Sequence, residues 1–73
     1  MKAVFDCLWE QEHPIDQAEI VSLLGLSKGA VSKAVNRLIA ERFRNHAFVE
    51  VVPAERMVYW VNDFIKKEFN AYY

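Results

Sequence analysis

Between residues 16 and 43 two helical patterns are separated only by Gly25-Leu26-Ser27, and that short link constrains the fold more than any other feature. Two helices can cross over so short a link only if the backbone reverses sharply and each helix end is capped. Gly25 follows the apolar pair Leu23-Leu24 and can take the left-handed conformation that ends a helix. Ser27 can accept from the exposed amides that open the next helix. Leu26 between them is expected to point into the core. The first helix of the pair has its start signal in Asp16 with Glu19 three residues on, an Asp variant of the capping box. Pro14 just upstream disfavours continuation of any preceding helix.

At roughly 100° per residue, Val31, Ala34, Val35, Leu38 and the stem of Arg42 fall on one side of the second helix, which is expected to face the core. The opposite arc carries Gly29, Ser32, Lys33, Asn36, Arg37, Ala40 and Arg44. It combines cations for phosphates, an amide and a guanidinium able to make paired contacts to base edges, and small residues that permit close approach. A capped turn leading into such an arc reads as a helix-turn-helix whose second helix suits a DNA major groove. The simpler alternative is a solvated helix face.

The net charge of −1 lacks the overall basic signature of a nucleic-acid binder, but its distribution is informative. Residues 1–26 hold Lys2 against Asp6, Glu10, Glu12, Asp16 and Glu19, a balance of −4. Residues 27–44 hold Lys28, Lys33, Arg37, Arg42 and Arg44 against Glu41, a balance of +4. Cations therefore concentrate on the proposed reading element. Acids elsewhere limit binding to random DNA, because non-specific affinity comes almost wholly from phosphate neutralisation.

A chain of 73 residues makes one domain with little room for an active-site cleft. Its hydrophobic fraction of 53% and aromatic fraction of 14% are high for that size, so much apolar surface needs burial, internally or in an oligomer. Cys7 is the only cysteine, which excludes an intramolecular disulfide and fits a reducing cytoplasm. No signal peptide or membrane span is expected, since the longest apolar runs are only four or five residues. Cys7, His13 and His46 show neither metal-ligand spacing nor a nucleophile-base pairing, and two glycines form no phosphate loop. No enzyme, cofactor or metal site is expected.

Before the turn, Val4, Phe5, Leu8 and Trp9 form an apolar stripe with Lys2, Asp6, Glu10 and Gln11 opposite, predicting a first helix over residues 2–12. It is expected to cross the helix pair over 16–24 and 27–43 and complete a three-helix core. His13 reads as a solvated cap where that first helix ends. After residue 44 the pattern alternates. Phe48, Val49, Val51 and Val52, the turn Pro53-Ala54-Glu55-Arg56, and then Met57 to Val61 predict a β-hairpin over 47–61. A hairpin in that place is a wing, whose tip Arg56 is positioned to reach flanking DNA; the alternative is a hairpin that only covers the core. From Asn62-Asp63, either of which can cap, a short helix is expected over 62–73. Phe64, Ile65, Phe69 and Tyr72 or Tyr73 recur along it at helical spacing, giving either a dimerisation surface or a face that packs back on helix 1.

The stretch from Gln17 to Leu38, with Ala18-Glu19-Ile20, Leu24-Gly25-Leu26-Ser27, Val31-Ser32 and Arg37-Leu38, resembles the DNA-reading core of bacterial winged-helix regulators of the multiple-antibiotic-resistance (MarR) type. The resemblance spans residues 14–61. It implies a mainly α fold with a β-hairpin, a winged helix-turn-helix. It also implies that Ser27, Lys28, Gly29, Ser32, Lys33, Asn36 and Arg37 face DNA, with Arg56 in the wing. Two features depart from it. The long terminal helices that build such regulators' dimer interface and effector pocket are absent, which weighs against small-molecule sensing. The wing carries Ala54-Glu55-Arg56 in place of the usual Asp-x-Arg. In size the chain is more similar to stand-alone winged-helix proteins that control pilus operons, plasmids or phages, some of which act with a larger DNA-binding co-regulator. Winged domains that bind left-handed nucleic acid stack a tyrosine at the reading site, and none lies between Ser27 and Arg44.

The expected function is therefore a sequence-specific, double-stranded DNA-binding transcriptional regulator. It would act as a cytoplasmic homodimer, associated with the nucleoid when bound. The competing reading is a winged helix kept as a protein-protein module. That version should carry apolar residues at positions 29, 32, 33, 36 and 37, where this chain has Gly, Ser, Lys, Asn and Arg.

Overall fold

Pro14 presets the backbone so that the chain leaves its first helix in an extended form, which carries it alongside the wing before the second helix begins. In a computed structural model describing residues 2–70, the order is α1 (Lys2–Trp9), α2 (Gln17–Leu24), α3 (Lys28–Ala40), β1 (Arg42–Phe43), β2 (His46–Ala47), β3 (Val49–Val52), β4 (Val58–Val61) and α4 (Asp63–Phe69). This is a mainly helical winged helix: helices with a two-stranded antiparallel wing, β3–β4. Between α1 and α2, Ile15 bridges to Tyr59 of β4 and so ties the connection to the wing.

The core joins every layer. Val4 and Leu8 of α1, Ile15, Ile20 of α2, Val31, Val35 and Leu38 of α3, Val49, Tyr59 and Val61 of the wing and Ile65 of α4 are all buried. In the wing, Val49 faces Val61 and Val51 faces Tyr59 across the ladder; Val49, Tyr59 and Val61 turn inward, as the alternation of strand geometry allows, while Val51 is exposed. No buried side-chain nitrogen or oxygen among the described residues lacks a hydrogen-bond partner.

Several helix and strand ends differ from the sequence expectation. α1 stops at Trp9 rather than residue 12, because Glu12, His13 and Pro14 turn the chain toward the wing; Gln11 Nε2 donates to the Cys7 carbonyl and serves the helix end. His13 places Nδ1 3.1 Å from the carbonyl of Pro14, its own neighbour. α3 stops at Ala40 rather than residue 43. Arg42-Phe43 instead pairs with His46-Ala47 through a two-residue turn in which Arg44 and Asn45 have φ of 52° and 68°. Such paired positive φ angles are those of the hairpin turn that matches strand twist.

Phe48 lies outside the wing ladder, and its N–H donates to the Glu41 carbonyl. Met57 belongs to the wing loop, 64% exposed. Leu26 stays outside the core, 40% exposed, because it lies in the link between the helices and the buried residues of α2 and α3 are Ile20, Val31, Ala34, Val35 and Leu38. Tyr72 and Tyr73, expected to extend the last helix, lie outside the described residues.

Candidate nucleic-acid interface

The three-residue link builds both ends of the helix pair. Asp16 Oδ1 accepts from the Glu19 N–H at 2.9 Å and caps α2. At the far end Gly25 has φ 67° and its N–H donates to the Val21 carbonyl. Ser27 Oγ accepts from the Ala30 N–H at 3.1 Å and caps α3. That bond uses the hydroxyl as an acceptor, so its own O–H is available to donate to a phosphate oxygen.

α3 then presents two faces of opposite chemistry. Val31, Ala34, Val35 and Leu38 are buried, whereas Lys28, Gly29, Lys33, Asn36 and Arg37 are exposed and Ser32 is half-buried. The expected arc is thus on one solvent-facing side of a helix pinned by its other side. Arg37 Nε lies 3.6 Å from Glu41 Oε1 one turn on, with both side chains well exposed. Exposed pairs of this spacing contribute about 0.3–0.5 kcal/mol, weak enough for a ligand to displace. Lys28 and Lys33 have no ion pair among the described residues. A Cβ built at Gly29 meets nothing within 4 Å, so the backbone there is open to close approach.

One expected site residue is placed differently, and another has a partner the sequence did not predict. Arg44 is not on the reading helix. It occupies the β1–β2 turn, where positive φ at Arg44 and Asn45 breaks helical continuation; its guanidinium lies over the Phe43 ring and 4.0 Å from Glu68. Arg56 is in the wing loop and exposed, but its Nη1 donates to Asp16 Oδ2 at 3.2 Å. Sequence reading missed Asp16 as a partner of the wing, since the two residues are 40 positions apart. The Asp16 carboxyl is held below the ordinary aspartate value of 3.8, chiefly by the Glu19 N–H and further by Arg56.

Among the residues expected on the dimer surface, Phe64, Ile65 and Phe69 pack within their own chain. Ile65 is fully buried in its own core and so offers nothing to a second copy. Phe64 stacks on His46 with centroids 4.0 Å apart, and Phe69 meets Phe43 at 5.0 Å and Phe48 at 6.0 Å. α4 reaches α1 through Lys66, whose Nζ lies over the Trp9 and Trp60 rings at 5.8 and 4.8 Å. Part of the apolar surface of α4 is therefore covered internally, by the small β1–β2 hairpin that the sequence did not announce.

No group of three or more His, Cys, Asp or Glu side chains among the described residues could hold a metal ion. No described helix is long and apolar enough to cross a membrane. The model of the MarR family matches residues 10–43, which contain the whole of α2 and α3. That match, with the helical core and two-stranded hairpin, fits a winged-helix transcription regulator. No curated protein and no solved structure matches the chain significantly.

Proposed function

From a MarR-family match and a winged-helix fold, we propose that this chain is a sequence-specific regulator that binds double-stranded DNA with α3 in the major groove. One observation carries the reading: exposed Gly29, Lys33, Asn36 and Arg37, with half-buried Ser32 among them, lie opposite a buried face on a helix capped at Ser27. Lys28 and Lys33 fix position on phosphates, with Arg44 assisting from the β1–β2 turn, and Ser27 donates its hydroxyl there. Ser32, Asn36 and Arg37 read base edges, Arg37 with the paired donors that suit guanine and Asn36 with the donor and acceptor that suit adenine. Arg56 reaches the flanking backbone from the wing.

The protein works as a homodimer, placing two copies of α3 in successive major grooves about 34 Å apart. Exposed parts of Phe64 and Phe69, together with Tyr72 and Tyr73, supply its contact surface. It acts in the cytoplasm, on the nucleoid when bound, alone or with a larger DNA-binding co-regulator.

A second reading, a protein-protein module, has support in Leu23 and Leu26, which are 59% and 40% exposed. Two substitutions test the roles. Arg37→Ala costs about 1–3 kcal/mol of binding and relaxes preference at one base pair, whereas Lys33→Ala weakens all sequences alike and flattens the salt slope by about one. Equal effects of both on every sequence would refute the division of labour. Retention on heparin at low salt separates the DNA reading from the protein module.

A further inference from the structure

The wing is held to the start of α2 by three consecutive residues. Ile15 exchanges backbone hydrogen bonds with Tyr59, N–H to carbonyl at 3.2 Å and 2.7 Å. Gln17 Nε2 donates to the Tyr59 hydroxyl at 3.1 Å. Between them, Asp16 faces the wing loop and accepts from Arg56.

The two partners in that ion pair are unequal. Asp16 is recessed, its side chain 14% exposed and both oxygens engaged, one by the Glu19 N–H and the other by Arg56. Arg56 is 78% exposed and anchored through one nitrogen only. Among the described residues Arg56 has no other acidic partner, and Asp16 is fixed by its capping bond whether or not Arg56 is present. The wing's cation is therefore paired with a carboxylate held by its own capping bond, which offsets part of its charge toward an approaching phosphate. Exposed pairs are weak in water, so DNA can still draw Arg56 away, but only against that attraction.

We propose that Asp16 is a specificity-determining residue that restrains Arg56, keeping the wing's cation from adding to binding of random DNA. The proposal rests on the DNA-binding reading above. It requires that removing the Asp16 charge, with the helix cap kept, adds one phosphate contact to non-specific binding.

Asp16→Asn does this, because Asn caps a helix about as well as Asp. The test measures binding of the full chain to a random-sequence duplex across salt concentrations, for wild type, Asp16→Asn, Arg56→Ala and the double variant. One added phosphate contact steepens the salt slope by about 0.9 and raises affinity about fifteenfold at ~50 mM salt, falling to about fourfold at ~200 mM. In the Arg56→Ala background most of that gain disappears. An unchanged or weaker Asp16→Asn overturns the proposal. So does an equal gain in the Arg56→Ala background, which would mark a general charge effect. If neither wild type nor Asp16→Asn binds any duplex at ~50 mM salt, the DNA-binding reading fails and takes the proposal with it; failure with a binding wild type removes the proposal alone.

Discussion

Ile15 and Tyr59 exchange both of their backbone hydrogen bonds, so that the chain entering α2 forms an added edge to the wing's second strand. Ile15 itself is fully buried. It joins the connection, α2 and the wing in one core. A domain of this size has only about 4–11 kcal/mol of stability at roughly 0.05–0.15 kcal/mol per residue. Ile15→Ala is expected to remove about 2–5 kcal/mol of it, and Ile15→Val about 0.5–1.5 kcal/mol, as read from urea unfolding. If alanine cost no more than valine, the wing would be independent of this residue.

Gly29 offers a way to separate stability from binding. It lies in the first turn of α3 with open space where a Cβ would stand, so Gly29→Ala should stabilise the helix by about 0.5–1 kcal/mol. On DNA the same methyl would stand in the closest contact, where overpacking costs about 1–3 kcal/mol. Unfolding midpoint up and duplex affinity down is the expected pair of results. Affinity unchanged would remove Gly29 from the interface.

The thiol of Cys7 faces the core, 8% exposed. Burial pushes its pKa up, and the nearby Glu10 carboxylate adds to the shift. Both effects suppress the reactive thiolate. Alkylation of the native chain at neutral pH should then be more than about tenfold slower than of the urea-unfolded chain, limited by local opening. Equal rates would show that packing of α1 on the core does not cover Cys7.

Acid should act on the wing attachment through Asp16. Its folded-state carboxyl is held below the ordinary value of 3.8, so the unfolded chain binds the proton more readily. The resulting stabilisation is present above that value and is lost as pH falls below it. Urea midpoints tracked from about pH 5 to about pH 2 should decline less steeply in Asp16→Asn than in wild type. Parallel declines would place the acid sensitivity elsewhere.

The fold class was legible because its signals are local. Asp16, Gly25 and Ser27 each sit a few residues from the group they serve, and the spacing of Val31, Ala34, Val35 and Leu38 is enough to choose the buried face of α3. What escaped depends on distant contacts. Arg42 and Phe43 continue the periodicity of α3, yet Phe43 turns to meet Phe69, 26 residues on. Asn45 tolerates the left-handed turn this needs, but no glycine advertised it. The Asp16–Arg56 pair was invisible for the same reason, because nothing in either neighbourhood names the other. Leu26 looked like a core residue by composition, and only the actual crossing of α2 and α3 excludes it. The candidate reading arc was legible by residue type except at Arg44, where helical extrapolation ran past the end of the helix.

Whether α3 reads DNA is decided by selecting duplexes from a random-sequence pool with the purified chain at about 50 mM salt, where phosphate contacts are strongest, and measuring its mass by light scattering. A regulator of the proposed kind enriches a palindrome with half-sites about one helical turn apart and has a dimer mass on DNA. Absence of both binding and enrichment at that salt would refute DNA reading by α3 and point to a protein partner instead.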